Sequence, residues 1–448
     1  MAAPAHAVVI GAGLAGLLAA VALSEAYPQV TVYDRDSLPA EPAPRRGVPQ
    51  SRQLHAYHAR GAQALSELLP GFREDMIAAG AVVADTQGDT HWYLDDYLLK
   101  PAHSGLEGIA LSRPVLEWLI RSRVAKLPGV AITDGTDVTG LVTAGGRVTA
   151  VRVRAARTMD AAEETVPADL VVDAAGRGSR TPAWLAELGL PVPETSQVRS
   201  KVTYVCRYYT RDPKQLDGRF GSLITAYPGQ PRSGAVLRQE GDRFVVLLAG
   251  MAGTEPPLDQ DGLLAYADSL ACPDLASVMR ESAPLSEPMK YTWPESTRNH
   301  YERLSEYLGG LLVAGDAFSS FNPIYGQGVT IAALEALTLR GLLSDPAEGA
   351  ADLERRYFGA AGQLVAAAWQ TSASSDLRFP EVEGERRRGA RLLGAYGAAF
   401  RAAASVDPVL GTTFLRVANM LDKPTMLMAP DTVARVSRSA GKAVKAGG

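Results

Sequence analysis

The sequence predicts a mixed α/β (α+β) fold. A parallel sheet with helices carries an inserted antiparallel sheet, and a helical C-terminal region follows. Two buried strands that each lead through a glycine-containing turn into a helix, near 7–26 and 311–335, predict the parallel sheet. Short strands separated by turn residues, from 202 to 249, predict the antiparallel sheet. The 448 residues, 46% of them apolar, suffice for two or three domains.

Composition excludes several classes of protein. The net charge of −4 gives no support for a nucleic-acid partner. The two cysteines, Cys206 and Cys272, cannot build a disulfide framework, and no Cys/His cluster has metal-ligand spacing. We therefore expect no metal and a reducing, cytoplasmic location. No apolar run is long enough to span a bilayer, so we expect no transmembrane segment.

The N-terminal segment carries a dinucleotide-binding pattern. A buried strand at 7–10 leads into Gly11, Gly13 and Gly16 of GAGLAG, then a helix at 14–26 and a second strand that ends before Asp34. The first glycine makes the turn, the second admits a pyrophosphate at the helix N-terminus, and the third lets helix and strand pack. An acid about 20 residues after the turn holds ribose hydroxyls. A βαβ unit that binds no dinucleotide would not explain the presence of Gly13 and Asp34. The pattern does not distinguish NAD from FAD as the dinucleotide.

A second strand-to-helix segment, LLVAGDAFSSFNPIYGQGVTIAALE, occupies 311–335. We expect a strand at 311–314, then Gly315 and Asp316, a loop, and a helix from about Gln327. Asp316 suits a sugar-like hydroxyl, and the helix start suits a negative group. Gly326 and Gly328 permit close approach of a flat ring. Taken alone, the segment is equally an ordinary strand-to-helix turn.

Three motifs in order, GAGLAG, DAAGRGSR and GDAFSSFNPIYGQG, resemble the single-component FAD monooxygenases, which include aromatic hydroxylases and squalene-epoxidase-like enzymes. The segment RRGVPQSRQLHAYHARG resembles that of bacterial flavin epoxidases of polyether-antibiotic pathways. The resemblance runs over most of the chain. It implies a Rossmann-like FAD-binding domain, an inserted substrate-binding sheet and tight, non-covalent FAD. The pattern of short strands around Gly145 and Gly146, from 130 to 166, predicts a β-meander. Where aromatic hydroxylases usually have Asp-Gly, this chain has Ala174, which leaves the handling of pyridine nucleotide open.

The resemblance also implies roles for individual residues. Those expected to contact FAD are Gly11, Gly13, Gly16, Asp34, Arg35, Arg45, Arg113, Asp173, Gly315, Asp316, Pro323, Gly326 and Gly328. Those expected at the flavin edge, where oxygen is activated, are Pro323, Tyr325, Gly326 and His55. The strand patterns themselves give Trp92, Tyr204, Arg207 and Tyr208 as the candidates to meet substrate. Trp92 either lines a substrate cavity or fills a core, and core filling is the default for an aromatic residue on a strand.

The chain is expected to turn helical from about Gln53, which would set His55 and His58 on one helical face. A metal pair is conceivable there, but without a third ligand a cofactor-facing or packing role is favoured. On the strand at 202–212, Tyr204 and Tyr208 share one face and Arg207 lies on the other. Strand periodicity alone does not say which face meets substrate.

We expect a discontinuous FAD-binding domain, a substrate-binding sheet domain and a C-terminal helical region. The FAD-binding domain comprises 1–80, 105–190 and 300–348. The substrate-binding sheet domain comprises 81–104 and 191–299, and the C-terminal helical region comprises 349–448. The C-terminal region is either a third domain or a helical cover. Membrane attachment through 420–428 is possible, but a helix-turn-helix packed on the body is favoured.

The sequence has no nucleophile elbow, no Ser/His/Asp arrangement and no metal set, so the cofactor must carry the reaction. We expect NADPH or NADH, directly or through a separate flavin reductase, to reduce FAD. O2 then gives a flavin hydroperoxide that passes one oxygen to an apolar natural-product substrate. The absence of an evident base favours alkene epoxidation. An aromatic (phenolic or polyketide) hydroxylase is the alternative. A flavin halogenase, whose Trp-rich signature is missing around Trp293, and a non-catalytic flavoprotein rank lower.

Overall fold

The computed structural model describes residues 5–158, 162–344, 352–386 and 389–443. The strands, in chain order, are β1 (His6–Ile10), β2 (Gln29–Tyr33), β3 (Ala56–Tyr57), β4 (Val82–Asp85), β5 (Thr90–Leu94), β6 (Tyr97–Leu98), β7 (Glu107–Ala110), β8 (Val130–Thr133), β9 (Thr136–Ala144), β10 (Arg147–Ala155), β11 (Glu164–Pro167), β12 (Leu170–Asp173), β13 (Thr195–Arg199), β14 (Val202–Thr210), β15 (Gly221–Ile224), β16 (Arg232–Gln239), β17 (Arg243–Gly250), β18 (Met289–Trp293), β19 (Ser296–Asn299), β20 (Leu311–Val313), β21 (Ser319–Ser320) and β22 (Glu383–Gly384).

The α-helices lie between and after these strands. They are α1 (Leu14–Ser24), α2 (Ala59–Leu68), α3 (Phe72–Ala78), α4 (Arg113–Val124), α5 (Thr181–Glu187), α6 (Gln260–Asp268), α7 (Asp274–Glu281), α8 (Gly328–Leu343), α9 (Leu353–Asp376), α10 (Ala390–Ala404), α11 (Pro408–Ala418) and α12 (Pro430–Ser439). The mixed α/β fold class is confirmed.

A five-stranded parallel sheet with the order β20-β12-β1-β2-β8 forms the centre of the fold. The strands β1, β12 and β20 are short apolar runs of consecutive buried residues, so both faces of the sheet are covered. Helix α1 contacts β1 and β2, and β9 and β10 contact β2 and β12, respectively. The carboxyl ends of β1, β12 and β20 lie side by side at one edge. The glycine turn after β1, the turn after β12 and Gly315 after β20 are therefore neighbours, although they are far apart in sequence.

Three antiparallel strands, β9, β10 and β11, form the predicted meander beside this sheet. The predicted range of 130–166 was too long, because its first residues form β8, which pairs with β2 in the parallel sheet. The tight turn between β9 and β10 is made by Gly145 and Gly146, whose φ angles are +58° and +74°. Both angles fall in the left-handed region, where glycine is at no disadvantage.

The inserted sheet has seven strands in the order β18-β14-β17-β16-β15-β5-β6. It was expected to be antiparallel throughout, but β15 and β5 are parallel. A long stretch of chain separates β5 from β15, so no hairpin turn fixes their relative direction. β4 does not pair with β5; it pairs with β7, beside β3.

The C-terminal helices close one side of this sheet. Phe400 of α10, Leu410 and Leu415 of α11 and Val436 of α12 form one apolar cluster with Leu94 at the end of β5. The helical region thus packs on the body of the protein, which is the arrangement favoured from the sequence. No helix in the described ranges is long and apolar enough to cross a membrane. The predicted boundary at 348/349 lies outside the described residues.

Candidate active site

A cavity of about 790 Å³ runs from the carboxyl edge of the parallel sheet to the inner face of the seven-stranded sheet. The predicted site residues that line it are Gly11, Gly13, Asp34, Arg35, Arg45, His55, Trp92, Arg113, Tyr204, Gly315, Asp316, Pro323, Tyr325, Gly326 and Gly328. Four predicted residues, Gly16, Asp173, Arg207 and Tyr208, are not part of its wall. The two sequence segments singled out first therefore meet at one cavity.

The three glycines after β1 have distinct structural reasons. A Cβ on Gly11, whose φ is +99°, would stand 2.6 Å from the carbonyl oxygen of Ala174. A Cβ on Gly16 would stand 1.8 Å from the carbonyl oxygen of Gly11, so only glycine lets α1 pass this close to the turn. A Cβ on Gly13 meets nothing nearer than a guanidinium nitrogen of Arg45 at 3.9 Å. The space above Gly13 is open and faces the cavity.

Asp34 and Arg45 form a charged cluster beside this turn. The Asp34 carboxylate accepts a 2.7 Å bond from the N–H of Ala12 and lies 3.3 Å from Nη1 of Arg45. Arg45 also reaches Asp36 at 3.1 Å and Glu117 at 2.5 Å. Burial works to lower the pKa of Arg45, but these carboxylates outweigh it and raise that pKa. Three carboxylates thus share one guanidinium at the mouth of the turn.

Asp316 lies in the wall of the cavity at the opposite end of this edge. Within the described part of the chain, no donor contacts its carboxylate within hydrogen-bonding distance, and burial raises its pKa. Arg113 and Arg177 act in the opposite sense because their positive charges stabilise the ionised form. The residue is half-buried in the cavity wall, so its carboxylate can accept a hydrogen bond from a bound ligand.

Behind Asp316, the turn is held by a buried acid that the sequence did not single out. Gly315 has a φ of +63°, and its N–H donates a 2.7 Å bond to Oε2 of Glu335 on α8. Glu335 is 1% exposed, and burial raises its pKa to about 8. Among the described residues, none forms a hydrogen bond with its other carboxyl oxygen. The carboxyl group fixes the backbone at Gly315 without adding a full charge at neutral pH.

A buried hydrogen-bond network holds the loop between β21 and α8. The Tyr204 hydroxyl donates a 2.6 Å bond to Oδ1 of Asn322 and accepts one from the N–H of Ile324 at 3.1 Å. The Asn322 amide and the Tyr325 hydroxyl both donate to Asp376, at 3.1 Å and 2.6 Å. Asp376 belongs to the last turn of α9, so one network ties together the sheet, the loop and the C-terminal region.

His55 and His58 do not lie on a helix, contrary to the expectation. Residues 49–52 form a short 3-10 turn, β3 follows, and α2 begins only at Ala59, with His58 as its N-cap. Among the described residues no group of His, Cys, Asp and Glu has the geometry of a metal site. Burial lowers the pKa of both histidines to about 4, with the charge of Arg113 adding to the effect at His55. Both are therefore neutral at physiological pH.

Residues 5–357 match the model of a family described as FAD binding domain. The chain belongs to the FAD-binding domain family. It is 34% identical over 446 residues to Protein Rv3254 of Mycobacterium tuberculosis, across 96% of this chain and 92% of that protein. The predicted superfamily and enzyme class, that of FAD-dependent monooxygenases, are confirmed at the level of the family. Similarity to the polyether epoxidases stays a prediction.

Solved structures share this fold at low sequence identity. The flavin-dependent brominase Bmp2 superposes with a TM-score of 0.67 and 16% identity, across 98% of each chain. The p-nitrophenol 4-monooxygenase PnpA from Pseudomonas putida DLL-E4 superposes with a TM-score of 0.64 and 17% identity, across 94% of this chain and 99% of that one. At such identities the similarity describes the fold.

The residues at the parallel edge fit FAD. The open space at Gly13, the carboxylate of Asp316 without a donor, and the open start of α8 at Gly328 are features that a bound dinucleotide would use. Arg113 lines the cavity between these regions, and its Nε lies 3.5 Å from Glu117. The guanidinium of Arg177 lies 4.4 Å from the ring centre of Trp293, at the Asp316 end of the cavity.

Three residues assigned to the site from sequence have other positions. The carboxylate of Asp173 is completely buried and accepts bonds from Ala175 N–H, Ser179 and Thr181, so it braces the turn after β12. Arg207 lies on the outer face of its sheet and donates to the carbonyl of Ser286. Tyr208 packs its ring under the guanidinium of Arg243, at 4.2 Å. The structure therefore does not bring Arg207 or Tyr208 to the cavity.

Other cavity residues were missed by sequence reasoning. Asn322 had a weak signal, since Asn-Pro marks a turn, but nothing pointed to a network. The missed wall residues of the C-terminal region follow no motif, because the placement of that region depends on tertiary packing. The missed wall residues from the region after 370 include Ser375, Arg378, Phe379, Arg401 and Phe414.

Proposed function

We propose that this protein is a cytoplasmic FAD-dependent monooxygenase that transfers one oxygen atom from O2 to an apolar natural-product substrate, most favourably by epoxidation of an alkene. NADPH or NADH, directly or through a separate flavin reductase, serves as the reductant. The observation that carries the proposal is that one cavity connects the two FAD-type segments with an apolar sheet surface. Bound FAD would supply the redox chemistry and the activation of O2 there.

The roles of the protein residues follow from their positions. Gly13 leaves room for a pyrophosphate, Asp34 faces the ribose region, and Asp316 accepts a hydrogen bond from a ribitol hydroxyl. The loop of Pro323, Tyr325 and Gly326 borders the reacting edge of the ring, where the network of Asp376 holds it in place. A rigid loop excludes water and fixes the approach of substrate.

Epoxidation is favoured over phenol hydroxylation because the cavity offers no evident free base. Both histidines in its wall have a pKa of about 4, which makes them weak bases, and each has one ring nitrogen bonded to a backbone group. The hydroxyls of Tyr204 and Tyr325 are bound within the network. An aromatic (phenolic or polyketide) hydroxylase remains the second candidate, since the fold of PnpA is similar.

A flavin halogenase ranks lower despite the fold it shares with Bmp2. The halogenase alternative calls for a lysine in the cavity wall, and within the described part of the chain no lysine lines the cavity. The same FAD-type segments would also suit a non-catalytic flavoprotein, but such a protein would have no use for a preformed apolar cavity at the ring edge.

Purification tests the cofactor first. The protein should be yellow, or should turn yellow with added FAD, and Asp316→Ala should lower its FAD content severalfold. Glu187→Ala, which removes an exposed carboxylate on α5, is the control and should change nothing. A colourless protein that takes up no FAD would refute the proposal, and unchanged flavin content in Asp316→Ala would refute the role of that residue.

The reaction is tested by product mass. Polyene and phenol substrates are incubated with FAD, NADPH and ¹⁸O₂, with and without a flavin reductase and with bromide added in parallel. We expect one ¹⁸O in the alkene products. Labelled phenols without labelled alkenes would favour the hydroxylase. Brominated products would favour the halogenase, and NADPH oxidation without any product would favour the non-catalytic reading.

A further inference from the structure

Two arginines meet one carboxylate in the part of the cavity wall that lies away from the glycine turn. Nη2 of Arg378 lies 2.5 Å and Nε of Arg401 lies 2.7 Å from the same oxygen, Oδ2 of Asp95. All three residues line the cavity. None of them belongs to a motif of the FAD-binding family segments described above, and the proposed oxygen transfer does not yet use them.

Three separate segments bring these groups together. Asp95 and Asp96 form the two-residue turn between β5 and β6, with φ angles of +51° and +65°. Arg378 follows the end of α9 by two residues, and Arg401 lies on α10. Aspartate tolerates the left-handed conformation better than most residues, but it still carries some strain there. In this turn conformation, the carboxylate of Asp95 faces the guanidinium groups of Arg378 and Arg401.

The charges in this cluster do not balance. Two guanidinium groups share one carboxylate, which leaves one positive charge in excess in a largely buried wall. Burial lowers the pKa of Arg401, and the charge of Arg378 contributes to that lowering although Asp95 opposes it. One arginine would suffice to attach the turn to the helices. A second buried cation costs desolvation energy unless another anion is present.

The donors of the two guanidinium groups are mostly unused. Each arginine makes one hydrogen bond to Asp95, and in the described ranges none of its other nitrogens has a hydrogen-bond partner. An arginine offers five N–H donors in a planar fork that matches a carboxylate. Aromatic side chains line the cavity as well, among them Trp92, Phe379 and Phe414.

We propose that Arg378 and Arg401 form a subsite for a carboxylate group of the substrate, whose apolar body extends along the cavity toward the loop of Tyr325. The proposal rests on the proposed function, because it assigns the substrate of that same cavity to the class of apolar carboxylic acids. Asp95 holds the two guanidinium groups side by side and partly neutralises them, so that one negative group completes the site.

Binding of matched probes tests the subsite without turnover. Two acid and amide pairs are titrated by calorimetry into the protein loaded with FAD and into the protein as purified: trans-cinnamate with cinnamamide, and retinoate with retinamide. The members of a pair share the apolar body and differ in charge. For at least one pair we expect the acid to bind about tenfold more tightly or better, as a charge-assisted bidentate contact implies.

Substitutions separate binding from a structural role. Arg378→Gln and Arg401→Gln should each reduce the preference for the acid to about threefold or less, whereas Arg280→Gln, a surface pair with Asp268, should leave it unchanged. Asp95→Asn keeps a residue that tolerates the turn and removes the competing charge. It should therefore increase the preference for the acid severalfold.

The outcomes distinguish this proposal from the proposed function. Equal affinity for acid and amide in both pairs, no detectable binding of any probe, or an unchanged preference in both arginine variants would overturn the subsite. A decrease of the preference in Asp95→Asn would also overturn it, since a purely structural cluster loosens when any member is removed. FAD content is measured in every variant, and a protein that binds the acids but no FAD would refute the monooxygenase and keep the subsite.

Discussion

The phenol hydroxyl of Tyr325 donates a 2.6 Å hydrogen bond to Oδ1 of Asp376, and this bond joins the loop before α8 to the last turn of α9. Asp376 is 1% exposed, and burial raises its pKa to about 6 even though its hydrogen bonds act to lower it. Near neutral pH the acceptor is an ionised carboxylate. Through this hydrogen bond, the C-terminal region contributes to the rigidity of the loop.

Tyr325→Phe should destabilise the protein by about 1–3 kcal/mol, because it removes a donor from a buried carboxylate. Tyr301→Phe is the matched control. Tyr301 is also buried, but no group in the described ranges forms a hydrogen bond with its hydroxyl, so loss of that hydroxyl should be neutral or slightly stabilising. Urea unfolding at pH 7.5 measures both. Equal effects of the two substitutions would show that the bond to Asp376 contributes nothing to stability.

Glu335→Gln should make the protein relatively more stable as pH rises. Burial raises the pKa of Glu335 from 4.5 to about 8, so between these values the folded protein holds a proton that the unfolded chain has released. Its contribution to stability is complete below about pH 4.5 and is lost as pH rises through about 8. Glutamine keeps an acceptor for Gly315 and does not titrate.

The free energy of unfolding of Glu335→Gln, relative to the natural chain, should therefore increase on the order of 3 kcal/mol from pH 5 to pH 9. Glu187→Gln at the surface is the control and should show no such trend. A difference between variant and natural chain that stays constant with pH would mean that Glu335 ionises normally in the folded protein.

His58→Gln should reduce the loss of stability that the protein undergoes at acid pH. Burial lowers the pKa of His58 from 6.5 to about 4, so the unfolded chain binds a proton in this range that the folded protein does not. The stability associated with neutral His58 is present above pH 6.5 and decreases as pH falls toward 4. The variant should lose less stability than the natural chain between pH 7 and pH 4.5, by roughly 2 kcal/mol.

The control for this experiment is His103→Gln, since the side chain of His103 is 85% exposed. Thermal unfolding across the pH range measures all three proteins. An identical acid response of the natural chain and His58→Gln would contradict the neutral state assigned to this histidine.

Gly13→Ala and Gly16→Ala should separate cofactor binding from folding. At Gly16 a Cβ would stand 1.8 Å from the carbonyl oxygen of Gly11, so the variant should fold poorly or be strongly destabilised. At Gly13 the added methyl meets no atom closer than 3.9 Å, so the protein without FAD should keep its stability. The methyl would occupy space that a pyrophosphate needs, and FAD affinity should fall roughly tenfold or more.

Equilibrium titration of FAD and urea unfolding of the cofactor-free protein measure the two effects. If Gly13→Ala bound FAD normally, the pyrophosphate would not pass over this turn. If Gly16→Ala were as stable as the natural chain, the close packing of α1 on the turn would not matter.

Local patterns were enough for the cofactor end of the site. The glycine spacing of GAGLAG and the Gly315-Asp316 pair act over a few residues. Gly11 and Gly315 have a positive φ, Gly16 lies against the carbonyl of Gly11, and Gly13 leaves open space for a ligand. Parallel strands gather their carboxyl ends at one edge whatever the sequence distance between them. The sequence therefore predicted that Gly11, Asp34 and Asp316 lie at one cavity, and it predicted the meander.

Periodicity failed where packing outweighs local preference. The segment around His55 has residues compatible with a helix, but pairing of β3 with β7 keeps the backbone extended until Ala59. The strand β14 has two alternating faces, and only tertiary structure decided that Tyr204 faces the cavity whereas Arg207 faces outward.

The sequence by itself determined the class of fold, the family and the ends of the FAD-type site, since these depend on short-range spacing and backbone geometry. Only the tertiary structure decided that Asp376 closes the network of Tyr325 and that Asp95 meets Arg378 and Arg401. Tyr325 and Asp376 are 51 residues apart, and Asp95 is 283 and 306 residues from Arg378 and Arg401. The packing of the C-terminal helices on the sheet brings these groups together. A carboxylate or guanidinium on such a helix has no sequence signature of its role, because its function depends on which charges the fold places around it.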